Sequence, residues 1–194
     1  MKIGIFGGSF NPPHKMHKKI AKMLLKRKYI DKIIFVPTGT TYQYKTNLLP
    51  NKTRYDMLSI LIKKEKNMSI SKYEFSSAPK YTYQTLKHFQ TRYPNDEIYF
   101  ICGLDNLSYM DKWEHGNEIL KNYKILLIKR KTDNLNDVLQ KYEEVKENII
   151  ITSLKEKKTS STNIREQLKK KDKKVLFQLP IGIYKYIKKY NLYS

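Results

Sequence analysis

Two of the chain's four histidines, His14 and His17, stand three residues apart directly after the run Gly7-Gly8-Ser9-Phe10-Asn11-Pro12-Pro13. At that spacing, in the first turn of a helix, both imidazoles face one side and can address the same anion. The adjacent glycines let the backbone turn tightly and come close to a ligand, because no Cβ intervenes. Asn11 is expected as the helix N-cap and Pro12 or Pro13 as the first helical residue, since proline lacks only an N–H that would be unpaired there. A strand end, a bare turn and a helix N-terminus then converge on one anion-binding spot. A zinc site would need a third or fourth ligand, and no nearby carboxylate or cysteine supplies one. Neither the six-residue dinucleotide glycine fingerprint nor a phosphate-loop Gly-Lys-Ser/Thr motif is present, which disfavours a simple GTPase, kinase or NAD-dependent dehydrogenase.

Two further groups of residues have chemical potential. Thr159-Ser160-Ser161-Thr162-Asn163-Ile164-Arg165 places several hydroxyls at a helix start with a guanidinium one turn in. One hydroxyl is enough to cap a helix; three with an arginine would also suit the terminal phosphates of a triphosphate. Gly103-Leu104-Asp105-Asn106 follows the apolar run Ile98 to Cys102. There Asp105 either accepts from a ribose hydroxyl at a strand's carboxyl end or caps the next helix.

These groups need a scaffold, and its signals alternate. Short, nearly continuous apolar runs at Ile3 to Phe6, Ile33 to Val36, Met68 to Ser71, Ile98 to Cys102, Ile125 to Ile128 and Ile149 to Ile151 read as parallel strands covered on both faces. Between them, Ile20, Ala21, Leu24, Leu25 and then Met57, Leu58, Leu61, Ile62 have the spacing of amphipathic helices. Leu86 with Phe89, Ile119 with Leu120, and Val138 with Leu139 and Tyr142 suggest three more, and a last helix is expected around Ile183 to Tyr190. The alternation predicts an α/β chain with a mostly parallel sheet, helices on both faces and a short C-terminal helical part. Thr38 to Pro50 is the longest stretch without periodicity, a length at which loops are often functional. No repeat or low-complexity linker interrupts residues 1–194, so one domain is expected.

Lys+Arg is 39 against Asp+Glu 18, a formal net charge of +21. Only Arg27, Arg54, Arg92, Arg130 and Arg165 are arginines, and the excess accompanies 16 Tyr and many Ile and Asn. Lys, Ile, Asn and Tyr share A/T-rich codons, so genome drift explains much of the basicity. The lysines read mainly as a solvated surface that draws in anions, because dedicated phosphate recognition usually recruits the planar arginine fork. The lone Cys102, inside an apolar run, reads as a core residue in a reducing compartment. No run approaches the roughly 18 apolar residues of a membrane span, and the opening run is too short for a signal peptide. A cytoplasmic protein without a membrane partner is expected.

Gly7-Gly8-Ser9-Phe10-Asn11-Pro12-Pro13-His14 with His17 resembles the GGSFNPPHxGH signature of bacterial nicotinate mononucleotide adenylyltransferases. Ser160-Ser161-Thr162-Asn163-Ile164-Arg165 resembles the SSTxIR signature of the same nucleotidyltransferase superfamily. Lys45 and Arg54 with Met57-Leu58, Tyr81-Thr82 with Thr85-Leu86, Gly103-Leu104-Asp105-Asn106-Leu107 with Trp113, and the ending around Leu179-Pro180 extend the likeness along nearly the whole chain. The resemblance implies a Rossmann-like nucleotidyltransferase fold that joins nicotinate mononucleotide to ATP, giving deamido-NAD and pyrophosphate, with Mg²⁺ carried on the ATP phosphates. It implies that Gly7, Gly8, Ser9 and Phe10 line the crevice for ATP and mononucleotide, and that His14 and His17 hold the triphosphate. Ser160, Ser161, Thr162 and Arg165 would take the β- and γ-phosphates, and Asp105 after Gly103 the ribose. Thr82 and Trp113 would take the pyridine, with Lys45 and Arg130 on the mononucleotide phosphate.

Such a transfer asks for two anions aligned in line and for charge to be neutralised on the leaving pyrophosphate. Cationic histidines, Arg, Lys and helix N-termini are expected to supply this, without a covalent intermediate. The sequence departs from the pattern in places. Met16 stands where the motif has glycine, so its side chain would narrow the space for adenine or ribose. Gln84 stands where Asp is usual, Tyr42-Gln43-Tyr44 where Pro-Pro-His is usual, and Thr132 replaces a glycine. The alternatives are a sister transferase acting on nicotinamide mononucleotide or phosphopantetheine, or a basic nucleic-acid-binding module that would leave the paired histidines unexplained. A homo-oligomer is left open.

Overall fold

The structure, a computed structural model, describes residues 1–42, 44, 47–129, 135–153 and 159–193, with only the backbone at 153. Six strands, β1 (Lys2–Gly8), β2 (Lys32–Pro37), β3 (Met68–Ile70), β4 (Glu97–Gly103), β5 (Lys124–Lys129) and β6 (Ile149–Ser153), form one sheet in the order β3-β2-β1-β4-β5-β6. Every pairing is parallel, so each strand is joined to the next by a crossover. The described helices are α1 (Lys15–Lys26), α2 (Asn51–Ile62), α3 (Thr82–Arg92), α4 (Leu104–Leu107), α5 (Gly116–Asn122), α6 (Asn136–Lys141), α7 (Ser161–Lys169), α8 (Val175–Gln178) and α9 (Ile181–Lys189).

The apolar runs are continuous because alternate residues feed two cores. On β1, β2 and β4, Phe6, Ile33, Phe35, Tyr99 and Ile101 pack on one face with Leu24 of α1, Met57 and Leu61 of α2, Ile164 of α7 and Ile183 of α9. The intervening Ile3, Ile5, Ile34, Val36, Ile98 and Phe100 pack on the other with Leu86 and Phe89 of α3 and Ile119 of α5. Each fully buried aliphatic stabilises the fold by roughly 1.5–3 kcal/mol. A one-residue slip in register would exchange the faces of a whole strand, which fixes the heights at which the strands end. Gly4 allows the central strand its close neighbours: a Cβ there would lie 2.6 Å from Ile30 Cδ1.

All six expected strands form, and each expected helical stripe lies on a helix. The four-residue α4 and α8 are too short to leave a periodic signal. One local expectation fails. Helix α1 begins at Lys15 with His14 as N-cap, so Asn11 is not the cap and neither proline is helical. The Asn11–Pro12 peptide is cis, and residues 9–14 form an irregular connection. Among the described residues no helix is long and apolar enough to cross a membrane.

Candidate active site

The strand order reverses beside β1: the chain leaves β1 for β2 on one side, while β4 pairs on the other. In such sheets ligands bind beyond the carboxyl ends of the two strands at the reversal. Phe6 is in register with Ile101, so Gly8 and Gly103 close their strands at one level. Neither Gly7 nor Gly8 has a positive φ; both continue β1, and the turn is taken at Phe10, with φ of 45°. A Cβ on Gly7 would meet only Phe100, 3.9 Å away, so the strand end presents bare backbone. The Phe10 ring, expected to line the crevice, instead packs into the core. It is 2% exposed and packs edge-on against Phe6 at 5.7 Å and His17 at 4.9 Å.

His14 and His17 are stacked, with ring centroids 3.7 Å apart. They share a face even though only His17 is inside the helix. The His14 backbone N–H donates to His17 Nδ1 at 3.1 Å, and the His17 N–H donates to the His14 carbonyl at 3.0 Å. This accepting role fixes the tautomer: Nδ1 carries no proton, so the neutral ring has its proton on Nε2. Burial pushes the His14 imidazole down to about 4. Burial, and secondarily the neighbouring His14, hold His17 well below the usual histidine range. The residue surface of His17 is only partly covered, but its ring nests against Phe6 and Phe10, and that apolar wall dominates. Around neutral pH the ligand-free pair is therefore uncharged, contrary to the expectation of cationic histidines. Nδ1 of His14 is buried without a hydrogen-bond partner among the described residues.

The second motif docks directly onto the first. Ser160 caps α7, accepting from Asn163 N at 3.2 Å. Ser161 Oγ donates to the Pro12 carbonyl at 2.9 Å. Arg165 donates to the Asn11 carbonyl at 2.8 Å and to Thr162 Oγ1 at 3.2 Å. These bonds use part of the guanidinium's five-donor fork. The N-termini of α1 and α7, both starting points for unpaired N–H groups, are thereby held side by side with the histidine pair.

A buried arginine secures the connection after β1. Arg54, on α2, is 0% exposed. It donates to the Ser9 carbonyl at 2.9 Å, the Leu49 carbonyl at 2.8 Å and Asn51 Oδ1 at 2.7 Å. Burial draws its guanidinium down to about 10, which leaves it charged at neutral pH. The sequence held a clue: Arg54 falls on the apolar stripe of Met57, Leu58 and Leu61, and a cation on a buried face must have partners.

On the other side of the crevice, Asp105 lies exposed in the first turn of α4, whose N-cap is Gly103. It is therefore not the helix cap. Trp113 is half-buried, edge-on to Phe100 at 6.2 Å. Thr82 is the first residue of α3, among that helix's unpaired N–H groups. Gln84 accepts from Tyr81 N at 3.0 Å, which gives the unusual residue a capping role. The start of α3 is joined to the chain just beyond Trp113 by a stack of Tyr83 on His115, 4.5 Å apart. Tyr42 packs against Tyr44 at 5.5 Å and Tyr81 at 5.9 Å. Buried Glu74 accepts from Thr85 Oγ1 at 2.7 Å, and burial pushes its carboxyl up to about 7. Lys45, Arg130, Gln43 and Thr132 lie outside the described residues. Met16 is half-buried in the first turn of α1. The described residues include no cluster of three His, Cys, Asp or Glu arranged for a metal ion; helix N-termini such as those of α1 and α7 suit phosphate oxygens.

The cytidylyltransferase-like family matches residues 5–167. The chain is 37% identical to a Clostridium tetani protein named "probable nicotinate-nucleotide adenylyltransferase", covering 99% of this chain and 98% of that one. It is 34% identical to a protein of the same name from Carboxydothermus hydrogenoformans, again over 99% and 98% of the two chains. A solved structure of Plasmodium falciparum nicotinic acid mononucleotide adenylyltransferase complexed with NaAD has the same fold, with a TM-score of 0.86 at 22% identity over 99% of this chain and 97% of that one. With both signature segments meeting at the reversal point of the sheet, the chain belongs to the cytidylyltransferase-like family of nucleotidyltransferases, in its nicotinate-nucleotide adenylyltransferase branch.

Proposed function

We propose that this chain joins nicotinate mononucleotide to ATP, forming deamido-NAD and pyrophosphate in NAD biosynthesis. The observation that carries this reading is the docking of Ser161 and Arg165 onto Pro12 and Asn11, which gathers two helix N-termini and a stacked histidine pair at one anion-binding crevice. The relatives' names support the choice of acceptor.

In the proposed reaction an oxygen of the mononucleotide 5′-phosphate attacks the ATP α-phosphorus. The new P–O bond forms as the bond to the β-phosphate oxygen breaks, and the electron pair leaves with pyrophosphate. No covalent enzyme intermediate is involved. His17 presents its Nε2–H to the α-phosphate and His14 lies against it. Gly7, Gly8 and the Ser9 backbone form the crevice wall. Ser160, Ser161, Thr162 and Arg165 serve the β- and γ-phosphates, with Ser161 and Arg165 also holding the loop. Asp105, beside Gly103, accepts from the ribose. Trp113 stacks on the pyridine, and Thr82 with the α3 N–H groups receives its carboxylate. Lys45 and Arg130 are assigned to the mononucleotide phosphate.

The histidines act as neutral donors until phosphate arrives, because a nearby anion favours the charged imidazole. Binding of ATP is therefore accompanied by proton uptake. Nucleotidyltransferases of this kind generally use divalent metal ions; here Mg²⁺ would enter on the ATP phosphates and neutralise part of their charge. The chain would act as one cytoplasmic domain.

The test is pyrophosphate release from ATP with nicotinate mononucleotide, nicotinamide mononucleotide or phosphopantetheine as acceptor. Release with the first at the highest kcat/KM is expected. No release with it, or preference for another acceptor, overturns the assignment.

A further inference from the structure

Asn11 belongs to the first motif, yet its side chain faces the protein interior and is 2% exposed. Its Nδ2 donates to the Asn47 carbonyl at 3.0 Å. Its Oδ1 accepts a long bond from Leu49 N at 3.5 Å and a short one, 2.6 Å, from the hydroxyl of Tyr193. Its own carbonyl accepts from Arg165. One residue thus joins four segments: the loop leading to His14, the loop between β2 and α2, helix α7, and the stretch after α9, which is 182 residues downstream.

The chain bends sharply to deliver that hydroxyl. Asn191 and Tyr193 both have positive φ, 47° and 63°, a region that bulky residues seldom occupy unless tertiary contacts hold them there. Tyr193 also packs against the core that includes Phe10 and Leu58. Burial pushes its phenol up, while the nearby Arg165 and Arg54, which both grip the loop, pull it down. Without the hydroxyl, a buried amide oxygen would keep only the 3.5 Å contact, and a buried acceptor left so poorly paired is costly.

We propose that Tyr193 is a positioning residue for the adenylyl transfer. Its hydroxyl locks the Asn11 side chain, and through it the backbone that sets His14 and the Arg165 guanidinium against the ATP phosphates. This inference rests on the function proposed above.

Tyr193→Phe removes the hydroxyl and keeps the ring. Two measurements on the full chain decide the question. In hydrogen exchange, peptides covering residues 7–14 and 47–54 should exchange several-fold faster in Y193F, while peptides from β4 and β5 stay unchanged. In steady-state kinetics, corrected for folded fraction from a thermal melt, kcat should fall about tenfold with KM for ATP within about threefold. In an Asn11→Ala background the same Tyr193→Phe change should have less than a twofold effect, because the two residues act as one unit.

Unchanged exchange, unchanged kcat, or a full tenfold loss in the Asn11→Ala background each overturns the proposal. If the wild-type chain releases no pyrophosphate from ATP and nicotinate mononucleotide, the functional assignment fails, and the exchange measurement still decides the link between Tyr193 and Asn11.

Discussion

The two halves of the crevice are held by different balances of hydrogen bonding and ring packing. On the side proposed for the nucleotide, hydrogen bonds from Ser161, Arg165 and Arg54 converge on the backbone of residues 9–12. On the side proposed for the acceptor, ring contacts predominate around Thr82 and Trp113, Tyr42 with Tyr81, Tyr83 with His115, and Trp113 with Phe100, beside the hydrogen bonds from Tyr81 to Gln84 and from Thr85 to Glu74. Hydrogen bonds fix distance and angle within narrow limits, whereas aromatic pairs tolerate offsets of an ångström or more. The difference matches the demands of the proposed chemistry. In-line transfer needs the phosphorus placed to a fraction of an ångström, while a flat ring needs only a surface.

If the nucleotide half sets the rate, the largest effect should come from His17→Ala. Turnover is expected to fall about 10²- to 10³-fold, as for loss of one preorganised transition-state donor, with the circular dichroism spectrum unchanged. Near-normal kcat would sink its assigned role.

The two halves should also answer pH in opposite senses. His14 titrates at about 4 in the folded chain against 6.5 when free, so the unfolded chain binds protons first. Stability is lost as pH falls from about 6.5 towards 4, by roughly 3 kcal/mol at the limit. Glu74, on the acceptor side, is raised to about 7 from 4.5. Its contribution is complete below 4.5 and is lost as pH rises through 7. Melting temperatures across pH 4 to 8 for His14→Gln and Glu74→Gln should each flatten one slope, and identical profiles for both would contradict these environments.

A smaller effect, confined to the acceptor, is expected from Trp113→Ala: KM for nicotinate mononucleotide rises about tenfold, near 1.4 kcal/mol, with KM for ATP nearly constant. A parallel rise in both would erase the distinction between the halves. Smallest is Ser160→Ala, which removes the α7 cap and should cost about 1 kcal/mol by chemical denaturation, with a modest rise in KM for ATP.

The fold was legible because burial on both sheet faces writes itself into continuous apolar runs. That two distant motifs belong to one candidate site was legible because each is a short cluster of polar residues, and the structure brings the two into contact. What escaped is what depends on distant partners or on irregular backbone. Asn11 looks like a helix cap in sequence, but the chain from Ser9 to His14 is tied to Arg54 and Arg165 instead of winding into α1. Phe10 shares a motif with bare glycines, yet its ring belongs to the core. The charge state of His17 depends on Phe6 and Phe10 packing around it, and that of His14 on its own burial, which residue type alone does not reveal. Arg54 left a trace on its apolar stripe; Tyr193 left none, because its role depends on one bond to a residue near the other end of the sequence.

The bonds from Ser161 to Pro12 and from Arg165 to Asn11 also impose an order on biosynthesis. A chain emerging from the ribosome can form β1, α1 and β2 early and gains the Arg54 anchor with α2, yet its first loop lacks the anchors from α7 until residue 165 has been made. Half-made chains should thus be poor at sequestering ATP, and nucleotide capture arrives late, close to the completion of the fold.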